Sequence, residues 1–389
     1  MRKLSQIAIL SLIPLFAFSN ESEVLSDTKQ KIIELKQKQI EQKEQSNKYD
    51  WVSDVNLNAS VYKDEDDTKT NDYYLSISQK IFDFGGISSQ IDYSSQLKRM
   101  ESLDLDISTK NDLYTLFSLL IDVKINDISL EQNLLYLKNS EIDIRNKQSE
   151  YKAGQLDISD LNDAIMTRNE LSETQKEIDL SKLVNINSVK KYTSKNYKEI
   201  NIPEVQLMDK DLYMQSATSI NYAKLDIEVN GSLYKIKKSD YLPSLALTGK
   251  YGYENSSSST SSINTGDYYN YGLELSMPLG FTASNDIEQT KLDHLISKQN
   301  LTDEIISSES IYDEAVLSIK SYEDRINLAL KDIKLYDELL VENEQEYKAG
   351  YKTIDDVETL KNSKLIRALD IKTYKLDIQK QILNLYFKM

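Results

Sequence analysis

EYKAGQLDISDL at residues 150–161 returns as EYKAGYKTIDDV at residues 346–357. In each stretch a glycine, Gly154 or Gly350, follows the last residue of a helical pattern, where a left-handed cap is needed. Asp157 and Thr353 stand three residues beyond the glycine, and Asp160 and Asp356 three further on. Both spacings read as an N-cap with an acidic partner at the third helical position. Each stretch is therefore a tight turn between two long antiparallel helices, with Tyr151 and Tyr347 in their last turns. The copies differ in one useful way: Lys352 stands where the first has Leu156.

Working outward, residues 87–150 and 283–346 lead into the turns without a single proline or glycine. At ~1.5 Å per residue each is a helix of roughly 95 Å. In the second, Leu301, Ile305, Tyr312, Ala315, Ile319, Tyr322, Ile326, Ala329, Ile333, Tyr336 and Leu340 recur in steps of three and four, with Ser308 the polar member. That is a heptad seam. The first shows Leu113, Leu116, Leu120, Val123, Leu130, Leu134 and Leu137, interrupted by Asp127. Helices of this length need partners, so the chain is read as a coiled coil. Residues 158–190 and 354–388 are the returning helices, and 22–46 and 208–238 the leading ones.

Between leading and long helix, each half carries two segments alternating apolar and polar with period two. These are residues 52–62 and 73–81, then 244–253 and 268–279, giving hairpins over 52–81 and 244–279. One face carries residues such as Leu57, Leu75, Leu247 and Leu273. The other carries Asn56, Asn58, Ser76, Ser78, Thr248 and Asn270. Tyr62, Tyr73, Tyr74, Tyr251, Tyr253, Tyr268 and Tyr269 stand at the loop ends. Trp51, Phe82, Tyr241 and Phe281 stand at the opposite ends. Aromatics at both rims of an apolar band mark strands that cross a bilayer and touch its lipid.

The chain is thus one plan written twice: residues 20–200, a linker at 201–207 around NIPEV, and residues 208–389. Residues 1–19 precede it with Arg2 and Lys3, an apolar run from Ile7 to Phe18, and small Ala17 and Ser19. This is read as a secretory signal peptide. No stretch of 18 consecutive apolar residues follows, so an exported chain of this kind meets a membrane only through strands.

Composition closes other routes. The net charge of −16 argues against a nucleic-acid partner. There is no cysteine and one histidine, His294. With no phosphate-binding glycine loop either, nothing suggests an enzyme, a metal or a cofactor. Four strands cannot close a barrel, and an open edge in lipid leaves unpaired backbone groups at several kcal/mol each. The membrane reading therefore requires an oligomer: two chains give eight strands, three give twelve.

Order, spacing and duplication together resemble the TolC-like outer-membrane efflux proteins over nearly the whole chain. The carrying residues are YKAGQLDISDLNDA and YKAGYKTIDDVETL at the turns, and SQKIFDFGG (78–86) and LSMPLGFTASNDIEQTK (275–291) where strands pass into helices. YLPSLALTGKYGY (241–253) opens the second hairpin. The resemblance implies a homotrimer in the bacterial outer membrane: a mainly α protein with a transmembrane β part. Its twelve strands form a barrel and its helices a tunnel across the periplasm. It implies a periplasmic adaptor and an inner-membrane pump of the RND, ABC or MFS type as partners. It implies a duct for small-molecule efflux or, alternatively, for type I protein secretion. It further implies a gate at the turns. By position Asp160 faces Tyr347 and Lys352 of a neighbouring helix pair, and Asp356 matches a lumen-facing acidic position. Many relatives carry Arg in place of Lys352, and Lys lacks the planar fork. A periplasmic coiled-coil adaptor or scaffold is the competing class; it has no use for four rimmed amphipathic strands.

Overall fold

A computed structural model describes residues 23–65, 68–257 and 265–389. The proposed signal peptide lies outside the described residues. Helix α1 spans Asp27–Tyr49 and precedes strands β1, Asn56–Lys63, and β2, Lys69–Phe82. Helix α2, Gly86–Lys152, turns into α3, Ile158–Val189. The second half repeats the order. Short α4, Lys210–Ser216, and α5, Thr218–Ser239, precede β3, Ser244–Ser257, and β4, Thr265–Ser276. Then α6, Ala283–Lys348, turns into α7, Ile354–Tyr386.

The chain divides into two compact units, and α2 and α6 contribute to both. One unit holds residues 107–217 and 308–389 with residues 23–33. Its main core gathers Leu25, Leu113, Leu116, Phe117, Leu120, Ile121, Val189, Leu383 and Phe387. Phe117 and Phe387 stack with centroids 5.8 Å apart. A second cluster packs Tyr213 against Tyr312, Ala315 and Leu385, and the Tyr312 hydroxyl donates to the Met208 carbonyl at 2.8 Å.

In α6 the buried seam positions are Ser308, Tyr312, Ala315, Ile319 and Ala329, while Ile305 is exposed. In α2 the seam holds from Leu113 to Val123 and then shifts. Asp127 turns outward to an ion pair with Lys182 at 2.6 Å. Beyond it Leu134 is 47% exposed, where the heptad count expects burial, and Leu135 is 8% exposed in its place. Leu135 packs with Ile366 and Leu369.

The other unit holds residues 34–106 and 218–307. Its strands form one antiparallel sheet in the order β1-β2-β3-β4. Strands β1 and β4 are therefore its edges. Its helical segments approach closely over small side chains. The Ser94 hydroxyl donates to the Glu44 carbonyl at 2.7 Å, and the Ser232 hydroxyl to Gln96 Oε1 at 2.7 Å. A Cβ at Gly231 would stand 3.1 Å from the His294 ring. The lone histidine is thus a packing residue. Among the described residues no helix is long and apolar enough to cross a membrane.

Candidate functional site

The two turns have the same backbone. Gly154 and Gly350 adopt φ of +72° and +83°, the left-handed region that glycine enters without cost. Gly154 N–H donates to the Tyr151 carbonyl and Gln155 N–H to that of Glu150, each at 2.9 Å. Gly350 donates to Tyr347 at 3.0 Å and Tyr351 to Glu346 at 2.9 Å. This paired bonding ends α2 and α6 as a Schellman motif does. A Cβ at either glycine would meet nothing within 4 Å. The glycines are therefore required for their conformation, and not for space.

The caps that follow differ. The Thr353 hydroxyl accepts from Asp356 N–H at 3.2 Å, and Asp356 Oδ2 accepts from Thr353 N–H at 2.8 Å. The Thr353 hydroxyl also donates to Asp356 at 2.8 Å. This is a complete capping box. These bonds, first the backbone donor of Thr353 and then its hydroxyl, hold the Asp356 carboxyl below its usual range, with help from the Lys352 charge. Asp157 instead accepts from Ile158 N–H at 2.7 Å, and the sequence expectation of a matching Asp160 partner is corrected. A box between Asp157 and Asp160 would set two carboxylates of like charge against each other, whereas the Thr353 hydroxyl can donate to Asp356.

Asp160 makes no hydrogen bond or ion pair with the described residues, and Tyr347 is exposed. Within one chain Asp160, Tyr347 and Lys352 are not brought together. The structure instead joins Arg145 on α2 to Asp355 on α7 at 3.0 Å, and Lys361 to Glu344 at 2.9 Å. Sequence reasoning missed both. The spacing between Arg145 and Asp355 is 210 residues, and no local pattern carries such a pair.

The sheet register sorts the aromatic residues. Leu57, Leu75, Tyr251 and Tyr269 lie side by side across all four strands. Asn58, Tyr74, Gly252 and Tyr268 form the adjacent row. Successive residues point to opposite faces, so Tyr62, Tyr74 and Tyr268 share the polar face. Tyr73, Tyr251, Tyr253 and Tyr269 share the apolar one. On the apolar face Tyr271, Leu273 and Leu275 are 82%, 68% and 74% exposed. A surface so apolar and so open marks an interaction site.

At the helix ends of the strands, Phe281 is fully exposed, and Phe82 meets exposed Phe84 edge-on at 5.0 Å. Trp51 is half-buried, its carbonyl accepting from Gln79 Nε2 at 3.1 Å. Tyr241 is tied down more firmly: its hydroxyl donates to Asp286 in the first turn of α6. That bond, ahead of one from Thr282, lowers the Asp286 carboxyl from its usual value.

The sequence profile of the outer membrane efflux protein family matches residues 211–387. The second half of the chain thus carries the sequence profile of an outer membrane efflux protein. Proteins of this family are transport conduits of the outer membrane and not enzymes. No curated protein sequence matches the chain. Its fold is similar to that of the outer membrane protein VceC from Vibrio cholerae, with a TM-score of 0.72 and 14% identity over 94% of each chain. It is similar to the Campylobacter jejuni CmeC outer membrane channel, with a TM-score of 0.70 and 14% identity over 93% of this chain and 84% of that one. It is also similar to the open state of the Neisseria gonorrhoeae MtrE outer membrane channel, at 0.69 and 11%, over 95% and 87%. The chain is mainly helical with four antiparallel strands, as the sequence pattern predicts.

Proposed function

We propose that three copies of the chain assemble into one outer-membrane efflux duct. The observation that carries this is a four-stranded sheet with an apolar, exposed face and two unpaired edges. Lipid covers the face, and β4 of one copy pairs with β1 of the next until twelve strands close. The two halves, 20–200 and 208–389, act as structural repeats, each supplying two strands. The helices form a tunnel in the periplasm, and cargo enters at the two turns. A periplasmic adaptor and an inner-membrane pump complete a tripartite efflux system for small molecules.

Asp160 of one helix pair meets Tyr347 and Lys352 of a neighbouring copy there and closes the entrance. Asp356 adds an acidic ring. Asp160 has no partner among the described residues of its own chain, which leaves it available for this contact.

The test is the protein mass of the particle extracted from outer membranes in mild detergent. A chain of 44.8 kDa, less a leader of ~19 residues, gives about 130 kDa for three copies. A single chain that stays in solution without detergent would overturn the proposal.

A further inference from the structure

The polar face of the sheet carries a cluster that neither the turns nor the aromatic rims explain. Lys250 on β3 sits two rows from Gly252 and on the same face, on the side away from the hairpin loops. Its side chain runs back toward the loops across β2. The ammonium stands 3.5 Å from the centroid of the Tyr74 ring and 5.0 Å from that of Tyr268. It also lies 3.5 Å from Asp72 Oδ2. The Tyr268 hydroxyl donates to Asp72 Oδ1 at 2.7 Å, and Asp72 is 8% exposed.

Gly252 makes the arrangement possible. A Cβ there would stand 2.7 Å from Tyr74 Cβ and 2.8 Å from Tyr268 Cζ. The Tyr268 ring therefore lies flat over β3 and reaches a carboxylate two strands away. Among the described residues, the charged groups on this face of the strands are Lys80 and Lys250 against Asp72, Glu254 and Glu274. Asp72 and Glu254 stand directly opposite each other. Lys250 is the cation beside that pair, and Lys80 approaches Asp83 at 3.9 Å instead.

We propose that Lys250 is a specificity-determining residue of the duct: pinned against Asp72, it cancels a carboxylate that would otherwise charge the outer part of the lumen. The proposal rests on the duct reading, which turns this face inward. Fixed charges on a pore wall select permeating solutes by sign. A lysine left free would act as a mobile cation in the lumen; held between two rings and a carboxylate, it removes one of the two negative charges of the Asp72–Glu254 pair and leaves one. Tyr74, Tyr268 and Gly252 are positioning residues that keep the ammonium on Asp72. The wall at this level keeps one negative charge per chain, from Glu254, where loss of Lys250 would leave two.

The chain has no cysteine, so a single introduced thiol can be addressed alone. Lys250→Cys would be reconstituted in planar bilayers and its reversal potential measured in a salt gradient. The measurement is repeated after aminoethyl methanethiosulfonate, whose sulfur joins the thiolate as methanesulfinate leaves, restoring an ammonium at that place. Lys250→Cys is expected to raise cation over anion permeability severalfold, and the aminoethyl adduct to return it to the wild-type value. The sulfonatoethyl reagent should raise it further, and Asp72→Asn should lower it. A purely structural role moves none of these potentials, so channels of unchanged reversal potential in every variant would overturn the assignment and leave the duct standing. If Lys250→Cys fails to assemble, Lys250→Gln and Asp72→Asn decide by the same shifts. Particles that open no channel either as wild type or with the entrance released by Asp160→Asn would defeat the duct reading, and the proposal with it.

Discussion

Thr353 and Asp356 show what a hydroxyl adds to a helix start. Thr353→Ala removes one acceptor and one donor from the box and should cost about 1 kcal/mol in the first turn of α7. Asp157→Ala, which loses a single bond, should sit near the lower end of that range, about 0.5 kcal/mol. Amide exchange at Asp356 and Val357, and at the start of α3, would read the difference. The cap is also pH-dependent. Asp356 is held below its usual value, so its contribution is full above the unfolded carboxyl's range and fades as pH falls through the lower, folded value. Protection of these amides should therefore persist at pH 5 and drop well below about pH 4, and in Asp356→Asn that step should be absent. At this scale the positions of the caps were legible, because capping depends on spacing. The reciprocal bond was not, because spacing does not say which backbone N–H the cap side chain will take, and Asp157 takes that of Ile158.

At the scale of the element, α6 was more legible than α2. The α6 seam faces its core with one stripe, and counting by sevens finds it. Helix α2 buries Leu116, Phe117, Leu120 and Ile121 together, which is more than one stripe, and a single period cannot describe it. Asp127, already an interruption in the pattern, is where the seam changes from Leu134 to Leu135. The break between α4 and α5 at Ala217 was not visible either. Residues 208–238 contain no proline and no glycine near it, and the break is made by the backbone of Ala217 with ψ of 119°. Strand ends also moved: β1 begins at Asn56, and β2 begins at Lys69 inside a stretch read as loop.

The Tyr213–Tyr312 contact offers a test of this packing. The rings are 5.5 Å apart, and both are buried. Tyr312→Phe removes only the bond to Met208 and should cost about 1 kcal/mol. Tyr312→Ala also opens a cavity and should cost about 3–5 kcal/mol. Denaturation of the purified protein in detergent, comparing both variants with wild type, distinguishes the hydroxyl from the ring.

For the whole molecule, the gate prediction concerns conductance. Exposed ion pairs contribute ~1 kcal/mol or less each, so a closed entrance depends on the same contact repeated in every copy. Asp160→Asn or Lys352→Met should raise the resting single-channel conductance of the reconstituted particle. Unchanged conductance in both variants would remove these residues from the gate. The pairing of Arg145 with Asp355 lies within one chain, so its loss should affect thermal stability more than conductance.

The two open edges of the sheet reach into genetics. In the proposed trimer a chain damaged at β1 or β4 does not fail alone, because it occupies a place between two healthy neighbours and leaves their strands unmatched. In a cell making equal amounts of damaged and intact chain, random assembly leaves roughly one trimer in eight fully intact. Edge-strand lesions are therefore dominant, and a lesion in the lumen wall, which leaves closure intact, is diluted instead.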